Sequence, residues 1–464
     1  MKKNKLTTKG AWIIPILILT AYSSCTDFIQ ADLSRSIIEE DVVFNNDITA
    51  TSAVVGIYSN ISNFSPLSGT SDGMAALLDL YAEEQLNYSQ TPALLEYHNH
   101  SILVNNTFNT NLWNYCFNII YQANAVIAGL EKSTGVSTNT KKQLMGEALF
   151  LRSFVYFYLV NIYGDVPILK GTDYKINSTC TRNAKNDVYE FVIDDLKQAK
   201  NNLNVAYPTI EKVRPNKYAA AALLAKVYLF NDQVADADRE SSEIINSNIY
   251  PIAPTVSSVF DKNGSESIWQ LMPVYPYYNT VDASYFIITS TPYYNYLNPD
   301  FVDIFDVDDE RLKNWIGEYT NELGTFYFPY KYKALYKDPT AEFAEYATVF
   351  RISEVILIRA EARAKQNMLS EAISDLDMIK SRAGVPLIKD VNPTIDKDGL
   401  LSEILGERQK EFFTEWGNRW LDLKRTGMAI TSLSRPITTD QLLFPIPQIE
   451  FTKNPNLGIQ NHGY

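Results

Sequence analysis

The sequence predicts a mainly α-helical fold of packed helical hairpins joined by long irregular loops. Two observations support this prediction. Apolar residues recur at intervals of three and four in successive blocks of the 464-residue chain. Between these blocks lie long stretches that contain proline and glycine and follow no helical period.

The periodic blocks predict seven helices, five before residue 250 and two after residue 350. Small side chains, such as the alanines at 219–222, let neighbouring helices approach closely. Such pairs are typical of tetratricopeptide-like hairpins, here with an irregular period; an irregular helical bundle is the alternative. The predicted helices are Asn111–Leu130, Gln143–Tyr163, Asn186–Leu203, Asn216–Phe230, Val234–Asn246, Arg351–Gln366 and Ser370–Ala383. The second of them is expected to stop at Gly164, with Pro167 just beyond.

Four stretches are predicted to be loop-rich: Ile61–Ser101, Tyr250–Phe301, Asp390–Gly399 and Ile430–Tyr464. Loops of this length in a compact domain are usually functional. We therefore expect the binding site among them. The same pattern suggests a helical-repeat region over 25–250 and a second region over 251–464 that carries the long loops and the late helix pair.

The N-terminus has the features of a secretory signal. Four lysines, at positions 2, 3, 5 and 9, precede a short apolar run at 11–22 and then Ser23-Ser24-Cys25. The run is too short to span a bilayer comfortably. Residues 1–24 are therefore predicted to be a lipoprotein signal peptide, with Cys25 as the lipidated first residue of the mature chain; an ordinary signal peptide is the alternative. The residue after Cys25 is Thr26 and not Asp, which in lipoproteins of this type favours the outer membrane.

The charge balance excludes some classes of partner. The formal charge of −13 becomes −17 when the four signal lysines are removed. Such a chain is a poor ligand for nucleic acid or for an anionic lipid surface. Cys116 and Cys180 lie far apart in the sequence and are expected to be free thiols.

Residues 406–427 read GERQKEFFTEWGNRWLDLKRTG. They predict an amphipathic helix with Glu407 and Glu411 one turn apart, a bend at Gly417, and a second short helix. The mixture of charged and large aromatic side chains indicates ion pairs packed under tryptophan rings. We interpret this pattern as packing rather than catalysis.

This stretch closely resembles the C-terminal motif of the SusD/RagB family of outer-membrane nutrient-binding lipoproteins. Other segments resemble the same family in the expected order: GEALFLRSF at 146–154, YGDVP at 163–167, RAEA at 359–362, RAGV at 382–385 and FPIP at 444–447. One departure is Trp416, which separates a glutamate and a glycine that are adjacent in many members. That insertion puts the local bend geometry in doubt.

The resemblance implies a surface lipoprotein of the outer membrane, anchored through Cys25. It would capture oligosaccharides, or peptides in some members, and pass them unaltered to a SusC-like TonB-dependent transporter. It implies no enzymatic activity and no cofactor. A polysaccharide-degrading enzyme and a purely structural repeat scaffold are the alternatives from other classes.

A glycan binder needs flat aromatic faces and a few polar groups directed at hydroxyls. Proline-rich segments supply both, because prolines keep the aromatic rings out of helices and central strands. The candidate ligand-binding residues are Tyr275, Tyr277, Tyr278 and Asn279, then Tyr294 in a second tyrosine run, and Tyr81, Asn87 and Tyr88 in the early loop. For each single tyrosine, packing in the core or at its rim is the alternative.

Other polar clusters have weaker interpretations. His98 and His100 could share one side of a strand, but without further ligands we expect exposed histidines and no metal site. The acidic run at 303–310 is expected to begin a helix rather than to bind calcium. Glu407 and Glu411 could form an acid/base pair, although Arg408 and Lys410 lie between them. The sequence contains no serine-nucleophile elbow, phosphate loop or His-Glu-x-x-His motif.

Overall fold

The computed structural model describes residues 40–464, with side chains from residue 42 onward. The predicted signal peptide and Cys25 lie outside the described residues. The helices are α1 Glu40–Val43, α2 Asp47–Ser62, α3 Met74–Tyr81, α4 Pro92–His98, α5 Thr107–Lys132, α6 Thr138–Tyr163, α7 Tyr174–Asn177, α8 Lys185–Asn202, α9 Lys217–Phe230, α10 Val234–Asn246, α11 Val281–Phe286, α12 Pro299–Val302, α13 Glu310–Trp315, α14 Ile352–Lys365, α15 Leu369–Ala383, α16 Ile388–Val391, α17 Lys397–Phe412, α18 Asn418–Arg425, α19 Ala429–Ser432 and α20 Gln448–Lys453.

The mainly α-helical fold is confirmed. Helices α5 and α6 pack as a hairpin, α8 packs on α6, and α9, α10, α14 and α15 continue the layer by pairwise contacts. The helix α10 has the predicted bounds, whereas α5 and α6 begin earlier than predicted. The early start of α5 follows from its cap: Asn106 Oδ1 accepts hydrogen bonds from the backbone N–H groups of Phe108 and Asn109, both at 3.0 Å.

The predicted helix ends are confirmed where glycine allows a left-handed backbone. Gly164 ends α6 at φ +77° and Gly384 ends α15 at φ +74°. The turn between α17 and α18 is tighter, because Thr414 and Trp416 adopt positive φ together with Gly417. The predicted bend at Gly417 is therefore present, and Trp416 takes part in it as a third left-handed residue.

Several segments predicted to be loops contain short elements. Ile61–Ser101 includes α3, α4 and a strand, and α17 begins inside Asp390–Gly399. All eight residues of α3 are buried, so its sequence has no polar face and shows no helical period. The helix α2 was not predicted either, although Asn46 caps it with hydrogen bonds to Ile48 N and Thr49 N.

Two small sheets lie among these segments. The strands are β1 Gln85–Asn87, β2 Ser267–Leu271, β3 Asn295–Leu297, β4 Ile316–Asn321, β5 Gly324–Pro329 and β6 Ala347–Arg351. One sheet has the order β1-β3-β5-β4, with antiparallel neighbours, and the other pairs β2 with β6. The β1–β3 pair brings the early loop region against the segment after residue 290.

The buried apolar side chains form two cores. The larger lies between the long helices, and nearly all of α6 from Leu144 to Tyr163 is buried in it. The smaller includes Phe260, Trp315 and Phe413, under the sheet that contains β1 and β3. The division of the chain near residue 250 stays a prediction. None of the helices in residues 40–464 is long and apolar enough to cross a bilayer.

The buried charges of the 406–427 region form ion pairs, as predicted. Glu411 contacts Arg351, Arg382 and Arg311, the last at 3.1 Å, and Glu407 contacts Arg311 at 2.6 Å. Burial raises the pKa of Glu411, but Arg382, Arg351 and Arg311 outweigh it and hold this pKa well below its usual range.

A tryptophan ring does cover this cluster, but it is Trp315 of α13, which lies outside residues 406–427. The Arg351 and Arg382 guanidinium groups lie over the ring of Trp315, at 5.8 Å and 5.6 Å from its centre. Glu407 and Glu411 are almost fully buried and engaged with cations, so they are not placed as an acid/base pair open to substrate.

Candidate functional site

The proline-rich segment that follows β2 is held from two sides. Ser62 Oγ, at the end of α2, donates a hydrogen bond to the carbonyl oxygen of Met272 at 2.7 Å. On the other side, Lys337 N donates to Tyr277 O at 2.9 Å, and Tyr278 forms an isolated antiparallel bridge with Tyr336. The backbone of 272–278 is thus fixed although it belongs to neither sheet.

Three tyrosines of this segment lie together with two rings from elsewhere in the chain, and we name the five the aromatic platform: Phe64, Tyr275, Tyr277, Tyr278 and Tyr336. Tyr278 is half-buried and the other four are exposed. The rings of Tyr275 and Tyr278 are stacked, with centres 5.6 Å apart and planes 22° apart. Tyr336 lies 5.6 Å from Tyr278 and Tyr277 lies 5.6 Å from Tyr275. Phe64 meets Tyr275 edge-on at 5.5 Å. The three tyrosines predicted at 275–278 therefore form one surface with two rings from distant segments.

The platform is accessible and its hydroxyls are free. Tyr277 is 52% exposed and Tyr336 is 72% exposed. In the described part of the chain, the hydroxyls of the four platform tyrosines have no hydrogen-bond partner. An aromatic surface with free phenolic hydroxyls offers both contacts that a sugar ring uses: its C–H groups pack on an aromatic face and its hydroxyls exchange hydrogen bonds.

Phe64 and Tyr336 were not found from the sequence. Phe64 follows the C-terminus of α2 and has φ +45°, a left-handed conformation that turns the chain there. Neither the helix nor this turn was predicted, and Tyr336 lies outside the four predicted loop regions. A recognised Asn46 cap would have indicated α2, but not the direction of the Phe64 ring.

Asn279 has a supporting position rather than the predicted contact position. Its side chain is 3% exposed. Its Oδ1 accepts a hydrogen bond from Ala344 N at 2.7 Å, and its Nδ2 approaches Tyr336 O at 3.5 Å. Asn279 therefore joins the two backbone segments under the platform and has little surface to offer a ligand.

Two aromatic residues of the predicted regions belong to the core. Tyr81 is fully buried against Trp420 and His100, and its hydroxyl donates to Gln441 O at 2.9 Å. The prediction of Tyr81 as a ligand contact is therefore wrong, because α3 turns it inward. Trp269, which lies in the predicted loop region Tyr250–Phe301, is equally buried, in β2.

The remaining candidates come together at the β1–β3 edge. Tyr88 N and Ser89 N both donate to Tyr294 O, at 2.7 Å and 3.0 Å. Tyr88 is 38% exposed, and its ring meets Phe326 at 5.7 Å. The side chain of Asn87 is engaged with Ser89 in both directions. The ring contacts of the described residues do not connect this group with the platform.

The interior next to the platform is nearly filled. A cavity lined by Ser62, Pro273, Thr280 and Trp416 has a volume of only about 20 Å³. That space suits a single water molecule and not a sugar. A ligand of the platform must therefore lie on its surface.

His100 and the acidic run at 303–310 make contacts within the protein. His100 is buried and its Nε2 lies 2.8 Å from Tyr81 O, so the expectation of an exposed histidine on a strand is wrong for this residue. Asp309 caps α13 and pairs with Arg311 at 2.9 Å, which confirms the predicted helix start. Within residues 42–464 no group of three or more potential ligands could hold a metal ion, and Cys116 and Cys180 are free thiols, as expected.

The fold is mainly α-helical and of the SusD-like class. Two family models match successive parts of the chain: "Starch-binding associating with outer membrane" over residues 46–229 and "SusD family" over residues 228–438. The chain belongs to the SusD/RagB family, and the predicted resemblance is confirmed.

Similar proteins support the same assignment. SusD-like protein P2 of Formosa agariphila is 24% identical over an alignment that covers all of both chains. The chain spans about half the length of another curated relative, SusD-like protein P25 of the same organism, with 24% identity, 56% of this chain and 51% of that protein aligned. Among solved structures, a SusD superfamily protein from Bacteroides vulgatus has a TM-score of 0.77 at 21% identity, covering 90% of this chain and 99% of that one.

One solved structure of this fold contains a bound glycan. Surface glycan-binding protein A from Bacteroides thetaiotaomicron, in complex with laminarihexaose, has a TM-score of 0.75 at 20% identity, covering 90% of this chain and 99% of that one. At this identity the likeness shows the fold alone. It establishes that a protein of this architecture binds an oligosaccharide.

Proposed function

We propose that this protein binds oligosaccharides on the aromatic platform. The observation that carries the proposal is the juxtaposition of four exposed rings and the half-buried ring of Tyr278, from three segments of the chain, with stacked and tilted planes and unbonded tyrosine hydroxyls. A glycan chain laid across these rings gains apolar contact on the sugar faces and hydrogen bonds from the phenols. The glycan-bound relative of the same fold supports this class of ligand.

The binding mode is reversible surface capture. Within the described residues, the cavity beside the platform has a volume of only about 20 Å³, so a bound glycan stays in contact with water and the affinity is modest. Modest affinity suits a protein that passes its ligand on, because tight binding would slow release. Within the proposal, the delivered glycan enters a SusC-like TonB-dependent transporter of the outer membrane.

The predicted lipid anchor on Cys25 would strengthen this mode of capture. A lipid on Cys25 would hold the protein at the cell surface and keep the captured glycan at high effective concentration near the transporter. The family description, which refers to association with the outer membrane, supports this location. The proposal includes no catalytic step: the platform has aromatic rings but no carboxylate pair, and Glu407 and Glu411 are buried in ion pairs.

An affinity screen tests the proposal. The soluble protein, beginning after Cys25, is titrated by calorimetry with neutral oligosaccharides of different backbones, laminarihexaose among them, and with a set of oligopeptides. Heat from one glycan class, with no product released from it, is the expected result. Heat from peptides alone would reject the glycan assignment, and shortened glycan products would reject the non-catalytic one.

A further inference from the structure

A second concave surface lies where the C-terminal tail crosses the repeat helices. It is bounded by α5, the chain after α6, α7, and the segment from α20 to Leu457, and we name it the tail groove. Its volume is about 330 Å³, within the range of small-molecule sites in proteins. It shares no residue with the aromatic platform or with the β1–β3 edge.

The walls of the tail groove are fixed by side-chain amides. Asn454 Nδ2 donates to Cys180 O at 2.7 Å, which joins the tail to the chain after α7. Asn124 Nδ2 donates to Leu169 O at 2.8 Å, and Asn177 Nδ2 donates to Gly171 O at 3.0 Å. A groove held in this way is preformed, so a ligand would not have to order it.

The floor and sides of the tail groove are aromatic. Trp113 and Phe117, one turn apart on α5, have ring centres 4.8 Å apart and planes 45° apart. Tyr121, a further turn along α5, is 51% exposed, and Tyr174 at the start of α7 is 72% exposed. Neither tyrosine hydroxyl has a hydrogen-bond partner in the part of the chain that the structure describes.

The polar groups of the tail groove are uncharged or balanced. The Asn114 side-chain amide makes no hydrogen bond within the described residues, and Asn177 Oδ1 likewise accepts none. The two charged residues, Glu450 and Lys453, neutralise each other at 2.7 Å. One free amide, one free amide oxygen and two free phenols, without net charge, match a ligand that presents hydroxyls rather than phosphate, sulfate or carboxylate groups.

We propose that the tail groove is a second oligosaccharide site, which binds a short neutral stretch of the same glycan class as the aromatic platform. The carrying observation is the conjunction of a preformed groove of about 330 Å³, tyrosines with free hydroxyls, the free amide of Asn114 and the free Oδ1 of Asn177, around a neutral ion pair. The ligand class rests on the proposed function, whereas the existence of the site rests on the groove itself. Two separate sites let one chain hold a long glycan at two points, which increases avidity without a new transporter contact.

The test compares four proteins that begin after Cys25. They are the wild type, a platform variant (Tyr275→Ala, Tyr277→Ala and Tyr278→Ala), a groove variant (Tyr121→Ala and Tyr174→Ala), and the combination of both. The groove substitutions remove exposed rings, so folding is retained; Ile210→Ala, at a fully exposed position, is the control. Calorimetry and ligand-observed NMR measure site number and affinity for neutral hexasaccharides of glucose, xylose, mannose and galactose.

The proposal predicts that the platform variant keeps one weak site and that the combined variant loses it, with at least a tenfold drop in affinity. A platform variant that binds none of the sugars bound by the wild type would overturn the groove site and leave the proposed function standing. Binding that only the groove variant loses would support the groove and reject the platform. A wild type that binds none of the four sugars would contradict both proposals.

Discussion

Single tyrosine side chains in this protein differ in what their rings and hydroxyls contact. Tyr81 is enclosed by Trp420 and His100 and its hydroxyl is satisfied by Gln441 O, so it stabilises the core. Tyr277 is half exposed and its hydroxyl has no partner in the described residues. Exposure together with a free hydroxyl therefore separates the proposed contact residues from the packing residues.

The two platform residues that came from distant segments are expected to contribute to binding. Replacing Phe64 or Tyr336 by alanine should each weaken glycan binding by about fivefold, or about 1 kcal/mol, because one stacking or edge contact is lost. Calorimetric titration of each variant measures this change. Leu323→Ala, at an exposed turn outside the platform, is the control, and equal affinities for all three variants would remove Phe64 and Tyr336 from the site.

The buried ion pairs are expected to be the most sensitive single contacts for stability. Glu411→Gln would leave Arg351 and Arg382 partly unpaired in the interior, at a cost of about 3–5 kcal/mol in the free energy of unfolding. Urea denaturation of the variant measures that cost. Glu403→Gln, at an exposed position of the same helix α17, should change stability by less than about 0.5 kcal/mol. Similar losses for both variants would show that the buried ion pairs of Glu411 are not especially sensitive contacts.

A second buried acidic group, Glu84, predicts that the stability of the fold depends on pH. Burial raises the pKa of Glu84 to about 7. Burial also raises the pKa of the neighbouring Asp79. Between pH 4.5 and pH 7 the folded state thus binds more protons at Glu84 than the unfolded state, and this carboxyl makes folding less favourable as pH rises.

Glu84→Gln removes that dependence. The variant should gain stability relative to the wild type as the pH increases from 5 to 7, and urea denaturation at each pH measures the difference. Glu403→Gln serves again as the control, with a difference that does not vary with pH. If the Glu84→Gln difference were also constant across this range, the raised pKa would be ruled out.

At the scale of elements, the turn between α17 and α18 positions the late helices against α3. Gly417 has φ +66°, and a Cβ atom built on it would lie 2.3 Å from Leu78 Cδ1. Both the backbone conformation and the close approach require glycine there. The bend at Gly417, which was predicted from the sequence, therefore helps to position the short helix α3, which was not.

Gly417→Ala is expected to destabilise the protein by more than about 1 kcal/mol, because strain and a steric clash add. Gly406→Ala provides the comparison: this glycine lies inside α17 with nothing within 4 Å of an added Cβ, so the change should stabilise by up to about 1 kcal/mol. Thermal unfolding of both variants distinguishes the two glycines. A neutral Gly417→Ala would show that α3 does not limit the turn.

The sequence predicted those elements whose signals are local. α10 has the predicted bounds, and Gly164 and Gly384 end their helices as expected, because periodicity and capping act within a few residues. It missed α3, whose side chains are all buried, and it placed Tyr81 on the surface for the same reason. The same distinction applies to the candidate site. The tyrosines at 275–278 are close together in the sequence and were predicted as a group, whereas the positions of Phe64 and Tyr336 beside them depend on tertiary packing.

At the scale of the whole molecule, the helical layer and the segments that carry the site have separate roles. The long helices and the buried ion pairs form the base of the molecule. Ser62 of α2 binds the 272–278 segment to this base, and Asn279 joins the segment to the chain at 336–344. The rings are thus held in position before any ligand arrives. A preorganised surface pays little ordering entropy on binding, which allows useful affinity from a shallow site.

Glycan capture on the aromatic platform is tested most directly by comparing the wild type with the variant that carries Tyr275→Ala, Tyr277→Ala and Tyr278→Ala, with circular dichroism to verify that both are folded. The wild type should bind one class of neutral oligosaccharide, and the variant should bind it at least tenfold more weakly. A folded variant with unchanged affinity for that oligosaccharide would show that the platform does not bind the glycan.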